Sequence, residues 1–324
     1  MSALSQESIA DENAVRWAYR IALGREPENE AAVRSHCAHG PTIAQLREVF
    51  LSSHEFVTRM HMPPPPQSGL EPALAIDRAD RDDLRDRLFR HIAASWSHYG
   101  ETEPHWSVLT FDEFRNEHLG ENLDAFNASG ERTIRRFLAT LARNGLELPA
   151  GAHCIELGCG VGRLTRWLAP HFASVTALDV SPGHLALARK HVADHATNVD
   201  FRQLTRLEDL AALPVAQVFF TFLVLQHNPP PVTEAILDGI FARLAPGAIA
   251  FFHLPTYIPD YRFDLDAYLA DRENDLGMEM HALPQKEIFR IAERHGLDTL
   301  EVLNEANEHR MVASYFLMQK RGGA

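Results

Sequence analysis

The sequence predicts an α/β fold: a doubly wound, mostly parallel sheet with a final antiparallel strand, preceded by a helical cap region and a small all-helical N-terminal domain. Three observations predict it. Strand-like and helix-like segments alternate over residues 149–324, the pattern of a parallel sheet with helices on both faces. A strand-like run at 154–157 enters three glycines at alternate positions, Gly158, Gly160 and Gly162, and a helix follows. Four consecutive prolines, Pro63 to Pro66, part this region from helical patterns before it, and such a run is extended and stiff. These signals divide the chain into a small helical domain (1–62), a proline-rich linker (63–69), a helical cap or substrate region (70–148) and the sheet domain (149–324).

In the first segment, Val15, Tyr19 and Leu23 recur at helical spacing beside Ala18 and Ala22, and Gly24 and Pro27 end the helix. A second helix is expected over 28–39, stopped by Gly40-Pro41. Thr42 is placed to cap a third that carries Ile43, Leu46, Val49 and Phe50 on one face. Ser53 is placed to cap a last turn holding Phe56 and Val57. Such a module is too small for a large core.

In the second segment, helices are expected over 80–90 and 132–144. An aromatic-rich stretch with Trp96, Tyr99, His105, Trp106, Phe111, Phe114 and Phe126 lies between them. These rings either pack a helical layer onto the next domain or line a substrate pocket. Ser129-Gly130 offers a tight approach or a cap.

In the third segment, strands are expected over 154–157, 174–178, 199–204, 218–224 and 248–254. Helices are expected over 163–168, 181–193, 232–244 and 285–295. Ser181 and Pro182 make a helix start, the run at 218–224 is apolar enough for a buried strand, and Pro246-Gly247 is read as a helix stop. Residues 300–303 and 313–318 are strand-like with no helix between them, which predicts an antiparallel hairpin.

Composition narrows the function. The chain has 324 residues, enough for one large domain or two smaller ones. Its formal net charge of −13 leaves no basic track for a nucleic-acid backbone, and Arg135-Arg136 is too short to make one. No apolar run is long enough to span a bilayer, and no basic flank leads into an apolar leader. Cys37, Cys154 and Cys159 are odd in number and poorly spaced for a disulfide framework. The expectations are a cytoplasmic protein with no nucleic-acid partner and no membrane span.

The glycine loop carries the chemistry. Gly158 lets the chain turn, Gly160 lets the backbone approach a ligand, and Gly162 permits close helix packing. Amides at the loop and helix start offer donors to an anionic or polar group. The spacing is not the G-x-G-x-x-G of dinucleotide sites, because position 163 is Arg, and no G-x-x-x-x-G-K-[ST] phosphate loop is present. Asp179 ends the second strand, where a carboxylate accepts hydrogen bonds from ribose hydroxyls. The combination points to a nucleoside-bearing ligand; the alternative is an ordinary turn without one.

The stretch Glu156-Leu157-Gly158-Cys159-Gly160-Val161-Gly162-Arg163 resembles the first motif of the class I S-adenosylmethionine-dependent methyltransferases, which have a Rossmann-like fold. Leu223-Val224-Leu225-Gln226-His227-Asn228-Pro229 resembles the family's segment after its fourth strand, and Leu244-Ala245-Pro246-Gly247 the turn before its fifth. The resemblance covers about residues 150–320 and implies S-adenosyl-L-methionine as cofactor. It implies that the loop, with Glu156, Gly158, Cys159, Gly160, Gly162 and Arg163, cradles the methionine part. It places Asp179 at the ribose, Val180 near the adenine with the 204–208 segment (Leu207 and Glu208), and Phe222 in the same site. The chain departs from the family at Gln217, where many members have an acid, and at Ala248, where many have a second glycine. The N-terminal residues 19–27 and 50–56 resemble a small helical domain of unknown function found beside bacterial glycosyltransferases, methyltransferases and surface proteins. That implies polysaccharide biosynthesis, and a protein partner or self-association through this domain.

Methyl transfer from a sulfonium is an in-line displacement that needs alignment and exclusion of water. An oxygen acceptor of high pKa gains from a general base. His227 and His253, at the ends of predicted buried strands, are the catalytic candidates, with a packing histidine as the alternative for each. Residues 255–284 form a polar and aromatic insertion. Tyr257, Tyr261, Arg262 and His281, together with Trp106, are the candidate substrate-binding residues. Such walls suit a sugar-like acceptor, and Arg262 suits an acidic one; the alternative is a surface excursion with its own small core. The separations of His227, His253 and His281 match no compact metal motif, so no metal is expected. The reading is a methyltransferase acting on a small-molecule or glycan-linked acceptor, with oxygen preferred over nitrogen. The alternatives are a nicotinamide-dependent oxidoreductase and a non-catalytic binding or scaffold protein.

Overall fold

The computed structural model describes residues 8–53, 55–56, 71–79, 81–271, 276–306 and 311–322. The expected linker at 63–69 and the expected contribution of Val57 lie outside these residues. The chain divides into two compact units, Met1–Pro64 and Pro65–Ala324.

The first unit holds α1 (Glu12–Leu23), α2 (Glu30–Cys37) and α3 (Ile43–Leu51). Each start is capped by a side-chain oxygen: Asp11 accepts from the Ala14 amide, Asn29 from Ala32, and Thr42 exchanges bonds with Gln45 in a capping box. Ser53 accepts from the Phe56 amide at 3.1 Å. The spaced apolar residues Val15, Tyr19, Leu23, Val33, Leu46 and Phe50 meet in one buried cluster. Each such side chain contributes roughly 1.5–3 kcal/mol on burial.

The second unit is built on a seven-stranded sheet of order β4-β3-β2-β5-β6-β9-β8. Its strands are β2 (His153–Leu157), β3 (Ser174–Asp179), β4 (Val199–Gln203), β5 (Ala216–Thr221), β6 (Leu244–Tyr257), β8 (Leu297–Ala306) and β9 (Val312–Lys320). The first five pair in parallel, and β9 runs antiparallel to both β6 and β8. Strand order reverses between β2 and β5, which opens a crevice beyond their carboxyl ends. Alternation along the strands fills both faces. Phe219 stacks on Phe252 on one face at 6.2 Å, and Phe220 on Phe251 on the other at 5.9 Å. A separate two-stranded pair joins β1 (Ala75–Ile76) to β7 (Arg262–Phe263).

Helices cover the sheet: α4 (Asp82–Thr102), α5 (Pro104–Val108), α6 (Leu119–Arg143), α7 (Thr165–Leu168), α8 (Pro182–Ala193), α9 (Pro230–Ala242), α10 (Leu265–Asp271) and α11 (Gln285–Arg294). Two of them outrun the sequence expectation. α4 continues into the start of the aromatic stretch, past Trp96 and Tyr99, because Leu88, Phe89, Ile92 and Ser95 keep one buried face. α6 begins well before residue 132 because Phe126, Gly130, Ile134, Phe137 and Leu141 keep theirs. Gly130 is required there, since a Cβ would overlap the Arg163 carbonyl and stand 3.0 Å from the Trp167 ring. Pro246-Gly247 does not stop a helix. α9 ends at Ala242, and the Pro-Gly step lies inside β6, where the register jumps from Ala216↔Leu244 to Val218↔Ile249. Gln217 receives the His153 amide at 2.8 Å and so ties the starts of β2 and β5 together.

Candidate functional site

Strand β2 delivers the chain into the glycine loop at the crevice. The Gly158 and Cys159 amides both donate to the Leu178 carbonyl, at 2.7 and 3.0 Å, and this folds the loop back over the end of β3. Asp179 then locks it: its carboxylate accepts from the Gly160 amide at 2.8 Å and from the Ser181 amide at 2.9 Å. A carboxylate has about four lone-pair sites, so two bonds leave capacity for a ligand. Gly158 sits at φ +72°, a conformation that strains any side chain, and a Cβ there would lie 2.6 Å from Val224 Cγ1. At Gly160 the same Cβ would meet Val108 at 2.8 Å, and at Gly162 it would meet Val192 of α8 at 2.9 Å. The first two glycines thus border the cleft, while Gly162 serves helix packing.

The cleft has a volume of about 830 Å³ including its mouth. Gly158, Cys159, Gly160 and Arg163 form its floor, and Asp179 and Val180 one flank. Phe222, Leu223, Val224 and His227, from the turn after β5, form the opposite flank. That turn holds Leu223 at φ +59°, a strained backbone of the kind found at functional sites. Phe89, Ile92 and Trp96 of α4 supply a wall, and Ser107, Val108 and His184 close one side. α4 reaches α8 closely because Gly100 and Gly183 face each other; a Cβ on Gly183 would stand 2.6 Å from the Gly100 carbonyl oxygen.

Two buried ionisable side chains lie at the loop. Arg163 donates from Nη1 to Ser129 Oγ at 3.1 Å, while its Nε finds no partner. Burial lowers Arg163 to about 10, against the opposing pull of Glu156, and it stays cationic at neutral pH. The oxygens of Glu156 make no hydrogen bond of good geometry, and Thr165 is the hydroxyl nearby that favours its ionised form. Burial, with a contribution from the Asp179 charge, raises this carboxyl to about 7. Buried polar atoms without partners are costly; of the two, Arg163 lines the cleft, whereas Glu156, an expected cofactor residue, lies behind the loop and off the cleft surface.

His227 lines the cleft and packs against Trp96, with ring centroids 4.9 Å apart. Its Nδ1 bonds the Glu279 carbonyl at 2.7 Å. A carbonyl only accepts, so Nδ1 carries the proton and Nε2 bears the lone pair. Nε2 accepts from the Gln226 side-chain Nε2 at 3.1 Å. Burial lowers His227 to about 4 and keeps it neutral. His253 is elsewhere: it is buried on β6, against Phe222 and Tyr315, and does not line the cleft.

Several other expected residues also lie off the cleft. Asp209 accepts from the Thr205 and Arg206 amides and turns the chain away after β4. Leu204 therefore lines the cleft, while Leu207 packs on the core and Glu208 pairs with Arg206 at 3.2 Å. Trp106 lies under the Arg115 guanidinium at 4.3 Å, and Tyr257 is buried at the end of β6. Tyr261, Arg262 and His281 border a second hollow of about 840 Å³, with Phe263, Tyr268 and Glu279. Trp96 takes the pocket-lining reading offered for the aromatic stretch, whereas Phe89 and Ile92 were not foreseen, although the 3- and 4-residue spacing of the three is a helical signal in the sequence. Among the described residues, no three His, Cys, Asp or Glu side chains gather to hold a metal ion, and no helix is long and apolar enough to cross a membrane.

Residues 154–247 match a family model described as a methyltransferase domain. The chain is 32% identical over 104 residues to the ubiquinone biosynthesis O-methyltransferase of Pseudomonas fluorescens (strain Pf0-1), a stretch that is 32% of this chain and 44% of that protein. It is 35% identical over 105 residues to a protein of the same name from Xanthomonas axonopodis pv. citri, 32% of this chain and 43% of the relative. The chain thus spans less than half the length of these curated relatives. Among solved structures it is similar to magnesium protoporphyrin IX methyltransferase from Synechocystis PCC 6803 with bound SAH. The TM-score is 0.50 at 17% sequence identity, over 72% of this chain and 99% of that one, a likeness of fold.

Proposed function

We propose that this chain, which carries a methyltransferase domain over residues 154–247, transfers the methyl group of S-adenosyl-L-methionine to an oxygen of a small, largely apolar acceptor. The observation that carries this reading is the buried Arg163, with its Nε unpartnered, and the Asp179 carboxylate at the glycine-loop end of an otherwise apolar cleft. The residues present fit the cofactor. Arg163 offers a free Nε donor for a carboxylate, and Glu156 behind the loop supplies a carboxyl on the ammonium side without lining the cleft itself. Asp179 has lone pairs left for ribose hydroxyls, and Val180 with Leu204 gives an apolar seat for a base. The bound cofactor supplies an activated methyl group on a cationic sulfur.

The protein's own work is then positioning and exclusion of water. α4 roofs the cleft with Phe89, Ile92 and Trp96, which favours a flat apolar acceptor over a glycan-linked one. The ionic side chains on the cleft, Arg163 and Asp179, both belong to the cofactor end. His227, neutral and with its lone pair on Nε2, takes the acceptor proton when the acceptor hydroxyl displaces the Gln226 side-chain amide from that nitrogen. The relatives' printed names support oxygen as the receiving atom. The 1–62 module is read as a docking element for a protein partner or a second copy. The glycine spacing and Arg163 argue against the nicotinamide alternative.

The acceptor is tested by incubating the protein with methyl-labelled S-adenosyl-L-methionine and two cell fractions, one of small molecules extractable into organic solvent and one of polysaccharide. Label is expected in the solvent-extractable fraction. Label confined to polysaccharide overturns the acceptor reading, and label in neither overturns the catalytic one.

A further inference from the structure

Glu279 lies outside the cleft, 52 residues beyond His227 in sequence, yet the two are joined through the Glu279 main chain. The Glu279 side chain is held by three donors from different parts of the fold. His91 Nε2 of α4 reaches Oε1 at 3.1 Å. Tyr268 of α10 donates to Oε2 at 2.7 Å. His281 Nε2 reaches the same oxygen at 2.7 Å. Burial of Glu279 opposes ionisation, but the hydrogen bonds from His281, Tyr268 and His91 outweigh it and hold the carboxyl down to about 2. An ionised carboxylate only accepts, so His91 and His281 both donate from Nε2. The other nitrogen of His281, Nδ1, meets the Tyr261 hydroxyl at 2.8 Å. The His281 amide donates to the Gln226 carbonyl at 2.7 Å, so the 279–281 run is fastened to both residues of the 226–227 turn.

We infer that Glu279 is a positioning residue: its anchored side chain fixes its carbonyl against His227 and so sets the tautomer and orientation of the histidine that faces the acceptor. The inference rests on the reading of His227 as the acceptor-side base. A free imidazole has no fixed tautomer, because either nitrogen can hold the proton. Here the choice is made by a carbonyl braced by three side-chain bonds and by the His281 amide bond to Gln226, with the Gln226 side-chain N–H on Nε2 acting in the same direction. The cluster Tyr261, Tyr268, Glu279 and His281 thereby acquires a role, since these residues brace the cleft from outside it. Loss of the Glu279 carboxylate frees its carbonyl, lets the imidazole exchange between tautomers, and lowers turnover while leaving the cofactor seat at the glycine loop intact.

The test uses the full chain with 15N-labelled histidine. The His227 ring signals are assigned by their disappearance in His227→Asn, and each variant is paired with calorimetric titration of S-adenosyl-L-methionine. The wild-type ring is expected as a single Nδ1–H tautomer. Glu279→Ala is expected to show mixed tautomers, with cofactor affinity changed by less than about threefold. Glu279→Gln keeps the shape of the side chain and one acceptor oxygen, and is expected to fall between the two. A wild-type Nε2–H tautomer, or an unchanged His227 signature in both variants, overturns the inference, whatever happens to thermal stability. Failure of the wild-type chain to bind S-adenosyl-L-methionine overturns the proposed function instead, so the two failures are read separately.

Discussion

The substitution Gly158→Ala tests the loop geometry most sharply. At φ +72° an alanine pays a backbone penalty of about 1–2 kcal/mol. Its Cβ would lie 2.6 Å from Val224 Cγ1 and 3.0 Å from Val224 Cβ, and nearer still to Cγ2. Valine is stiff at χ1, so no rotamer change clears both methyls, and overpacking adds about 1–3 kcal/mol. The total is about 2–5 kcal/mol. Urea unfolding followed by tryptophan fluorescence measures it, in a Trp17→Phe background that leaves Trp96, Trp106 and Trp167 to report on the sheet unit. Val224→Ala removes both clashing methyls. The double variant is therefore expected to recover about 1–3 kcal/mol relative to the sum of the single changes, well beyond the ~0.5 kcal/mol scatter of independent sites. Additive losses, or a cost for Gly158→Ala below about 1 kcal/mol, would refute the seating of the loop on Val224.

Further expectations concern charge. Asp179→Asn presents an amide NH₂ to one of two backbone donors, from Gly160 and Ser181. It should cost about 1–3 kcal/mol of stability and weaken S-adenosyl-L-methionine binding more than tenfold by calorimetry. Ser129→Ala removes the Arg163 partner at 3.1 Å and should reduce cofactor affinity several-fold. An unchanged dissociation constant would detach Arg163 from the site. The carboxyl of Glu156 is raised by burial from 4.5 to about 7. The folded state therefore binds more protons than the unfolded state between those values. The stability contributed by Glu156 is complete below pH 4.5 and is lost as pH rises through 7. Glu156→Gln should thus gain stability relative to the parent at pH 7.5 compared with pH 5, by at most ~3 kcal/mol; equal urea midpoint differences at both pH values would contradict this. His105, His227 and His253 have the opposite sign. Burial depresses each from 6.5 to about 4, so the stability they confer is complete above pH 6.5 and is lost as pH falls through 4. His253→Phe should flatten the acid limb of the stability profile.

The parts legible in the sequence are those specified by neighbouring residues. The strand at 154–157, the glycines after it and the acid at 179 are local, and so is the alternation that sends Phe219 and Phe220 to opposite faces. The parts that were not legible depend on partners distant in the chain. The joining of Phe89, Ile92 and Trp96 into one wall required α4 to run past residue 90 to 102, and the dense aromatics there masked its periodicity. The loss of Leu207 and Glu208 from the site follows from one cap, Asp209 on the Thr205 and Arg206 amides. The separation of His253 from His227 reflects the alternation of β6, whose side chains face two sides of the sheet. The neutral state of His227 reflects burial and a carbonyl 52 residues away, which no local pattern encodes. Pro246-Gly247 read as a helix end because such steps commonly are; here it makes a bulge in a strand.

The central claim is that the glycine loop, Arg163 and Asp179 form a seat for S-adenosyl-L-methionine. Isothermal calorimetry of the full chain against S-adenosyl-L-methionine, S-adenosyl-L-homocysteine and NAD tests it most directly. Saturable one-site binding of the first two, lost in Asp179→Asn, with no heat from NAD, is expected. Binding of NAD alone, or of none of the three, would contradict it.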